Sequence, residues 1–302
     1  MCAIPYCRPA SCHRRFPALP HPPGAAKRNP PTERETAMTT GSGPRHHDRG
    51  EHDTARKGER LARRIARAGI CSRRAAERLI AAGRVAVNGE IVTSPAINVT
   101  ADDEVQVDGT PLPAPRPLRL WRYHKPRGLI VSERDEKGRP TIFDHLPPEI
   151  GRVVSVGRLD LNSEGLLLLT SDGRLARELE LPSRGWTRRY RVRAFGRVTP
   201  AALKALENGI TIDGVHYGRV RATLDRAEGA NVWMTFALRE GRNREIRRIC
   251  EHLGLKVNRL LRIAYGPFQL GALKRGEVEE VPRRTLADQL GHLLEDIEGG
   301  RA

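Results

Sequence analysis

Four consecutive leucines, at 166–169, stand between the polar stretch Leu161-Asn162-Ser163-Glu164-Gly165 and Thr170-Ser171-Asp172. A short apolar run bounded by turn residues reads as a strand that leads into the core. No apolar run in the 302 residues approaches the ~18 that a membrane-spanning helix requires, so no membrane partner is expected. The core must be largely aliphatic, because aromatics are only 4% of a chain that is 38% hydrophobic. At a typical size of ~150 residues, the length corresponds to about two domains. Five cysteines, three of them within the first twelve residues, are too sparse for a disulfide scaffold, which points to the reducing cytoplasm.

The charge is strongly biased. Lys and Arg total 53 against 36 Asp and Glu, a net charge of +17, and only seven of the 53 are lysine. Arginine forks suit bidentate phosphate contacts, so a polyanionic partner is indicated. The segment 1–58 holds nine of the 22 prolines and has no hydrophobic period, and reads as a disordered extension. Cys2, Cys7 and Cys12 lack a second ligand pair, so no metal site is assigned there, and Met38 is read as the true start. The module 59–110 follows. It has apolar helical spacing at Leu61, Ile65 and Ala68, a second helix capped by Ser72 and ended by Gly83, and two short strands about Asn88-Gly89. Between 59 and 84 there are eight Arg against two Glu, whereas 85–110 has five acids and no base. We therefore expect Arg60, Arg63, Arg64, Arg67, Arg73, Arg74 and Arg78 to line a surface that tracks a phosphate backbone.

A proline-rich spacer at 111–118 precedes a longer region, 119–284. Strands are expected at 153–156, 166–170, 190–195 and 232–238, and helices at 175–179, 201–208 and 243–253. Sheet and helices without regular βαβ alternation indicate an α+β class. An acidic helix or tail closes the chain at 285–302.

Two clusters carry chemistry. Gly157-Arg158-Leu159-Asp160, ahead of the polar turn and the leucine strand, would place Asp160 on a rigid frame at a loop edge. An Asp at a strand end is also a common turn former, and that reading stays open on these residues alone. The second cluster, Glu240-Gly241-Arg242-Asn243-Arg244-Glu245-Ile246-Arg247-Arg248, opens a helix whose apolar stripe is Ile246, Ile249, Cys250 and Leu253. Residues 239–262 carry eight bases and three acids, a nearby source of the cation that a sequestered carboxylate needs.

These motifs carry a resemblance. The stretch 157–173, with Tyr123-His124-Lys125-Pro126-Arg127-Gly128, Gly138-Arg139-Pro140-Thr141, Arg188-Arg189-Tyr190-Arg191-Val192, Glu240 to Arg248 and Leu260-x-Arg262-x-x-Tyr265-Gly266, resembles the RsuA/RluB family of ribosomal RNA pseudouridine synthases. The module 59–110 resembles the S4 RNA-binding domain that precedes the catalytic domain in that family. The resemblance implies a small S4-like domain followed by a catalytic domain with a mainly antiparallel sheet flanked by helices. It implies isomerisation of one uridine without cofactor or metal, with ribosomal RNA as partner; a monomer is expected because the sequence shows no self-complementary apolar patch. Asp160 would be the catalytic carboxylate and Arg247 its cationic partner, with Arg248 the neighbouring alternative. Tyr190 would stack on the base, Leu260 would form an apolar wall, and Arg158 would help extrude the nucleotide. Lys125, Arg242, Arg244, Arg248 and Arg262 would be further RNA contacts. The target implied is large-subunit (23S) RNA, with small-subunit (16S) RNA or a non-catalytic RNA-binding role as alternatives. The family's usual His before Pro182 is Leu181 here.

Overall fold

The computed structural model describes residues 58–299 except 115, 116 and 134. The expectations for the N-terminal extension, its cysteines and the start at Met38 lie outside the described residues.

The first module comprises β1 (Glu59–Arg60), α1 (Leu61–Arg67), α2 (Arg73–Ala81), β2 (Val85–Val87), β3 (Glu90–Val92), β4 (Asn98–Val99), β5 (Val105–Val107) and β6 (Thr110–Pro111). Ser72 caps α2, its hydroxyl accepting from the Ala75 N–H at 3.2 Å. Asn88 and Gly89 both adopt positive φ, 52° and 85°, as a tight hairpin turn with matching twist requires. Glu59 and Arg60 pair with Val99 and Asn98, so the helix starts at Leu61, the first residue of the apolar spacing. Leu61, Ile65, Ala76 and Ile80 from the helices pack on Val85, Val105 and Val107 from the sheet.

The second module contains β7 (Leu120–Lys125), β8 (Val154–Val156), β9 (Glu164–Thr170), α3 (Gly173–Glu180), β10 (Arg188–Phe195), α4 (Pro200–Ala205), β11 (Ile210–Ile212), β12 (Val215–Tyr217), β13 (Val220–Glu228), β14 (Asn231–Leu238), α5 (Glu245–His252), β15 (Lys256–Tyr265), β16 (Phe268–Gln269), β17 (Val278–Glu280) and α6 (Arg283–Glu298). Its nine-stranded sheet runs β13-β14-β10-β15-β9-β7-β17, with β16 on β15 and β8 on β9. All pairs are antiparallel except β9 with β15. The fold class is α+β, as the sequence indicated.

The leucine run explains itself in this sheet. Leu167 and Leu169 face one core with Tyr123, Val192, Phe236 and Ile249, which α4 and α5 cover. Leu166 and Leu168 face a second core with Leu175, Leu179 and Leu286, which α3 and α6 cover. A strand buried on both faces has no polar side to alternate with, and each leucine contributes about 1.5–3 kcal/mol. The C-terminal helix is accordingly not the acidic surface appendage expected. Leu286, Leu290, Leu293, Leu294 and Ile297 form a buried stripe that completes the second core.

Gly165 makes the one parallel pairing possible. Its φ is +106°, and a Cβ there would meet the Arg262 carbonyl and lie 2.7 Å from the Arg262 N. We predict that Gly165→Ala destabilises the protein by roughly 3 kcal/mol in urea unfolding; a loss within the error of the measurement would show that β9 and β15 can separate without cost.

Candidate active site

The loop between β8 and β9 carries Asp160, and its backbone is tied down carbonyl by carbonyl. The Asp160 carbonyl accepts from Ser163 N at 3.0 Å and from Lys125 Nζ at 3.2 Å. The Leu161 carbonyl accepts from Gly128 N at 2.9 Å. Arg247 Nη2 donates to the Asn162 carbonyl at 3.0 Å, and Lys125 Nζ donates to Ser163 O at 2.9 Å. At the loop's start, Gly157 N donates to Glu180 Oε1 at 2.6 Å. Beyond it, Arg262 Nε donates to the Leu166 carbonyl at 2.6 Å.

The carbonyls of residues 160–163 are thus satisfied, while the Asp160 carboxylate has no ion pair within 4.0 Å among the described residues. It lines a cavity of about 750 Å³, within the range of small-molecule sites. Tyr190, Leu260 and Leu238 supply apolar wall, and Arg158, Arg188, Arg242, Arg244 and Arg262 supply positive charge. Arg139 and Asp135 form a rim pair at 2.8 Å, in which the Arg139 guanidinium holds the Asp135 carboxyl well below the usual range. Such a site can present a fixed carboxylate to an electrophilic carbon of an anionic ligand.

Arg247 is buried behind the loop. Burial pushes its pKa down, and neighbouring Arg244 adds to this, while the charge of Asp160 opposes both. Its Nε is buried without a partner, and its hydrogen bond goes to the loop backbone. Arg248 is exposed on the far side of the same helical turn and donates to the Tyr217 hydroxyl at 3.3 Å.

Two of the expected RNA contacts are internal. Lys125 is fully buried, with its ammonium spent on the carbonyls of Pro126, Asp160 and Ser163. No phosphate on the surface can reach it, which corrects that expectation. Arg262 is 2% exposed and opposite Tyr190 on the neighbouring strand, at the cavity floor rather than on an outer surface.

The arginines of the first module divide similarly. Arg60 donates to the Ala96 carbonyl, Arg64 to the Thr100 carbonyl at 3.1 Å, and Arg63 and Arg67 both turn to Glu59. Arg60 is nonetheless exposed and Arg63, Arg64 and Arg67 are half-buried, whereas Arg73, Arg74 and Arg78 of α2 are exposed and have no such partner among the described residues. Arg73 and Arg74 line a second cleft, of about 780 Å³, against Arg152, Arg174 and Arg177 of the larger module.

Glu245 and Arg188 line the cavity but were not singled out as site residues. Glu245 opens α5 and is 4% exposed; one carboxylate oxygen accepts from Arg242 N at 3.0 Å and the other is buried without a partner. Arg244 before it takes φ 53°, which starts the helix at Glu245 rather than at 243. Arg188 lies over the Tyr265 ring, 4.8 Å from its centroid, and donates to its hydroxyl at 3.0 Å. No local sequence signal marks Glu245, because its burial depends on a tertiary wall.

Comparison with known proteins fits this geometry. Residues 119–252 match the RNA pseudouridylate synthase family, and residues 59–105 match the S4 domain. An uncharacterized RNA pseudouridine synthase of Rickettsia bellii is 51% identical over 226 residues, 75% of this chain and 98% of the relative. The ribosomal large subunit pseudouridine synthase B of Salmonella typhi is 42% identical over 218 residues, 70% of this chain and 75% of the relative. A crystal structure of a pseudouridylate synthase superposes with a TM-score of 0.54 at 28% identity, covering 77% of this chain and all of that one. The chain belongs to the RNA pseudouridine synthase family and carries an S4 domain ahead of the synthase fold. It is an isomerase acting on RNA. No helix among the described residues is long and apolar enough to cross a membrane.

Burial pushes the Glu245 carboxyl up from 4.5 to about 7. Below pH 4.5 it is protonated in both the folded and unfolded chain. As the pH rises from 4.5 to about 7 the unfolded chain releases the proton first, so this group's contribution to stability falls and is at its least above 7. Glu245→Gln should therefore gain stability relative to the unmodified protein between pH 5 and pH 8, read from urea midpoints. A pH-independent difference would place the Glu245 carboxyl in water.

Proposed function

We propose that this protein converts a uridine of large-subunit (23S) ribosomal RNA to pseudouridine, with Asp160 as the catalytic carboxylate. The observation that carries the assignment is the division of labour in the 157–163 loop. Side chains and amides hold the carbonyls of 160–163, while Asp160, whose carboxylate has no ion pair among the described residues, lines a cavity rimmed by arginines. The large-subunit target is supported by the 42% identity to the Salmonella typhi enzyme.

The reaction breaks the bond from uracil N1 to ribose C1′, turns the base, and joins C5 to C1′. The C5 proton is lost and N1 gains one, so no redox equivalent is needed. Asp160 acts as nucleophile, at ribose C1′ or at the base. Tyr190, on the inner face of β10 beside Leu260, offers a ring for the base to stack on and the apolar wall confines it. Arg247 fixes the loop through the Asn162 carbonyl and places a positive charge behind the carboxylate. Arg158, exposed at the cavity edge, is placed to occupy the gap that the everted nucleotide leaves. Unstacking costs roughly a few kcal/mol, which contacts from Arg242, Arg244 and the S4 arginines to flanking phosphates offset.

Asp160→Asn is nearly isosteric and should abolish pseudouridine formation in 23S RNA while leaving RNA affinity within a few-fold. Mapping pseudouridines in both ribosomal RNAs from cells with and without the gene checks the target. Retained turnover in the variant would remove Asp160 from the chemistry, and a lost site in 16S RNA would redirect the target.

A further inference from the structure

The nine-stranded sheet is covered unevenly. On the face that carries Leu166 and Leu168, α3 and α6 pack over β9 and β7. The other half of that face, over β15, β10, β14 and β13, presents exposed and half-exposed side chains. It lies back to back with the active site, because Tyr190 and Val192 point inward while Arg189, Arg191 and Arg193 alternate outward.

The pairing register assembles this surface in rows. Arg193 stands opposite Trp233 on one side and Arg259 on the other, and Trp233 stands opposite Arg226. Arg191 is opposite Thr235, Arg189 and Arg221 flank Ala237, and Phe195 stands beside Lys256. Seven cations meet three carboxylates here: Glu228, which pairs with Arg226 at 3.0 Å; Asp225, which accepts from Thr235 at 2.9 Å; and Glu164, which is buried beneath Arg259. The excess is positive, and no helix among those described packs on it.

Two features separate this array from an ordinary solvated face. The Arg191 and Arg226 guanidiniums lie over the Trp233 indole, 5.0 and 5.7 Å from its centroid. Stacking holds their planes in place, so less side-chain freedom remains to be lost when a phosphate binds. Phe195, 54% exposed at the end of the same strand, offers an aromatic surface for an unpaired base. A four-stranded open sheet with outward arginines and aromatics is the physical arrangement by which single-stranded RNA is held.

We propose that the outer face of β13-β14-β10-β15 is a second RNA-docking surface, which binds a single-stranded segment of the substrate RNA remote from the target uridine. The proposal rests on the RNA-modifying reading above, and it adds a site on the side of the sheet away from Asp160.

The test uses the full chain, a 23S RNA transcript and a fluorescein-labelled 20-nucleotide single-stranded RNA of mixed sequence. Changing Arg191, Arg193 and Arg226 together to Glu should weaken binding of the oligonucleotide at least about 10-fold at 0.1 M salt. Neutralising the same three with Gln should lower the slope of log affinity against log salt by about 2, since each phosphate contact contributes ~0.7. The Gln variant also guards against misfolding caused by charge reversal. Single-turnover modification at saturating protein should persist in both. Affinity and slope equal to those of the unmodified protein would overturn the proposal. Wild-type binding with the full slope but without pseudouridine formation would sink the catalytic reading and leave this surface standing. Absence of oligonucleotide binding by the wild type would overturn this surface and leave the catalytic reading standing.

Discussion

The buried ammonium of Lys125 is the interaction on which the site depends. A charge without exposure is costly unless every donor finds an acceptor. Here the three donors meet the carbonyls of Pro126, Asp160 and Ser163 at 3.0, 3.2 and 2.9 Å. Burial pulls the lysine down to about 8, while the charges of Asp160 and Glu164 work to raise it. At neutral pH the ammonium therefore stays protonated and retains all three bonds. Hydrogen bonds to a charged group contribute about 1.5–3 kcal/mol each, and leaving those carbonyls unpaired would cost a comparable amount. The end of β7 and the loop after β8 are consequently one mechanical unit.

The remaining architecture serves that unit. Gly165 lets β9 approach β15 in parallel, which brings Arg262 under the loop and Glu164 against Arg259. The leucines of β9, buried on both faces, fix the strand that leaves the loop. Helix α5 contributes Arg247 from behind and Glu245 at the cavity wall. Arginine thus plays two separate parts. Buried Arg247 and Arg262 bind backbone carbonyls and set geometry, while Arg158 and Arg244 at the cavity and Arg191 and Arg221 on the outer sheet are exposed.

Much of this was legible in the sequence, and the reasons for the rest are physical. Continuous or alternating apolar residues marked β9, β10 and β14, and Ser72 and Gly83 marked the ends of α2. The strands β7, β13 and β15 were not marked, because arginines, His124 and Lys125 break their apolar pattern and become buried or paired only in the sheet. Asp160 stood out through its neighbours in the chain. The partners of Arg60, Arg64 and Arg247 did not, because they are backbone carbonyls, and every residue has one. Burial likewise turned Lys125 from an expected phosphate ligand into a clamp.

The most direct test of this account is single-turnover isomerisation by Lys125→Met, which keeps the length and apolar stem of the side chain but has no donors. With RNA affinity and circular dichroism preserved, the account predicts a fall in rate of roughly 10²-fold, since small misplacements of a reacting group carry penalties of that order. A folded Lys125→Met protein that modifies RNA at the unmodified rate would contradict it, and would show that the carboxylate is positioned without the clamp.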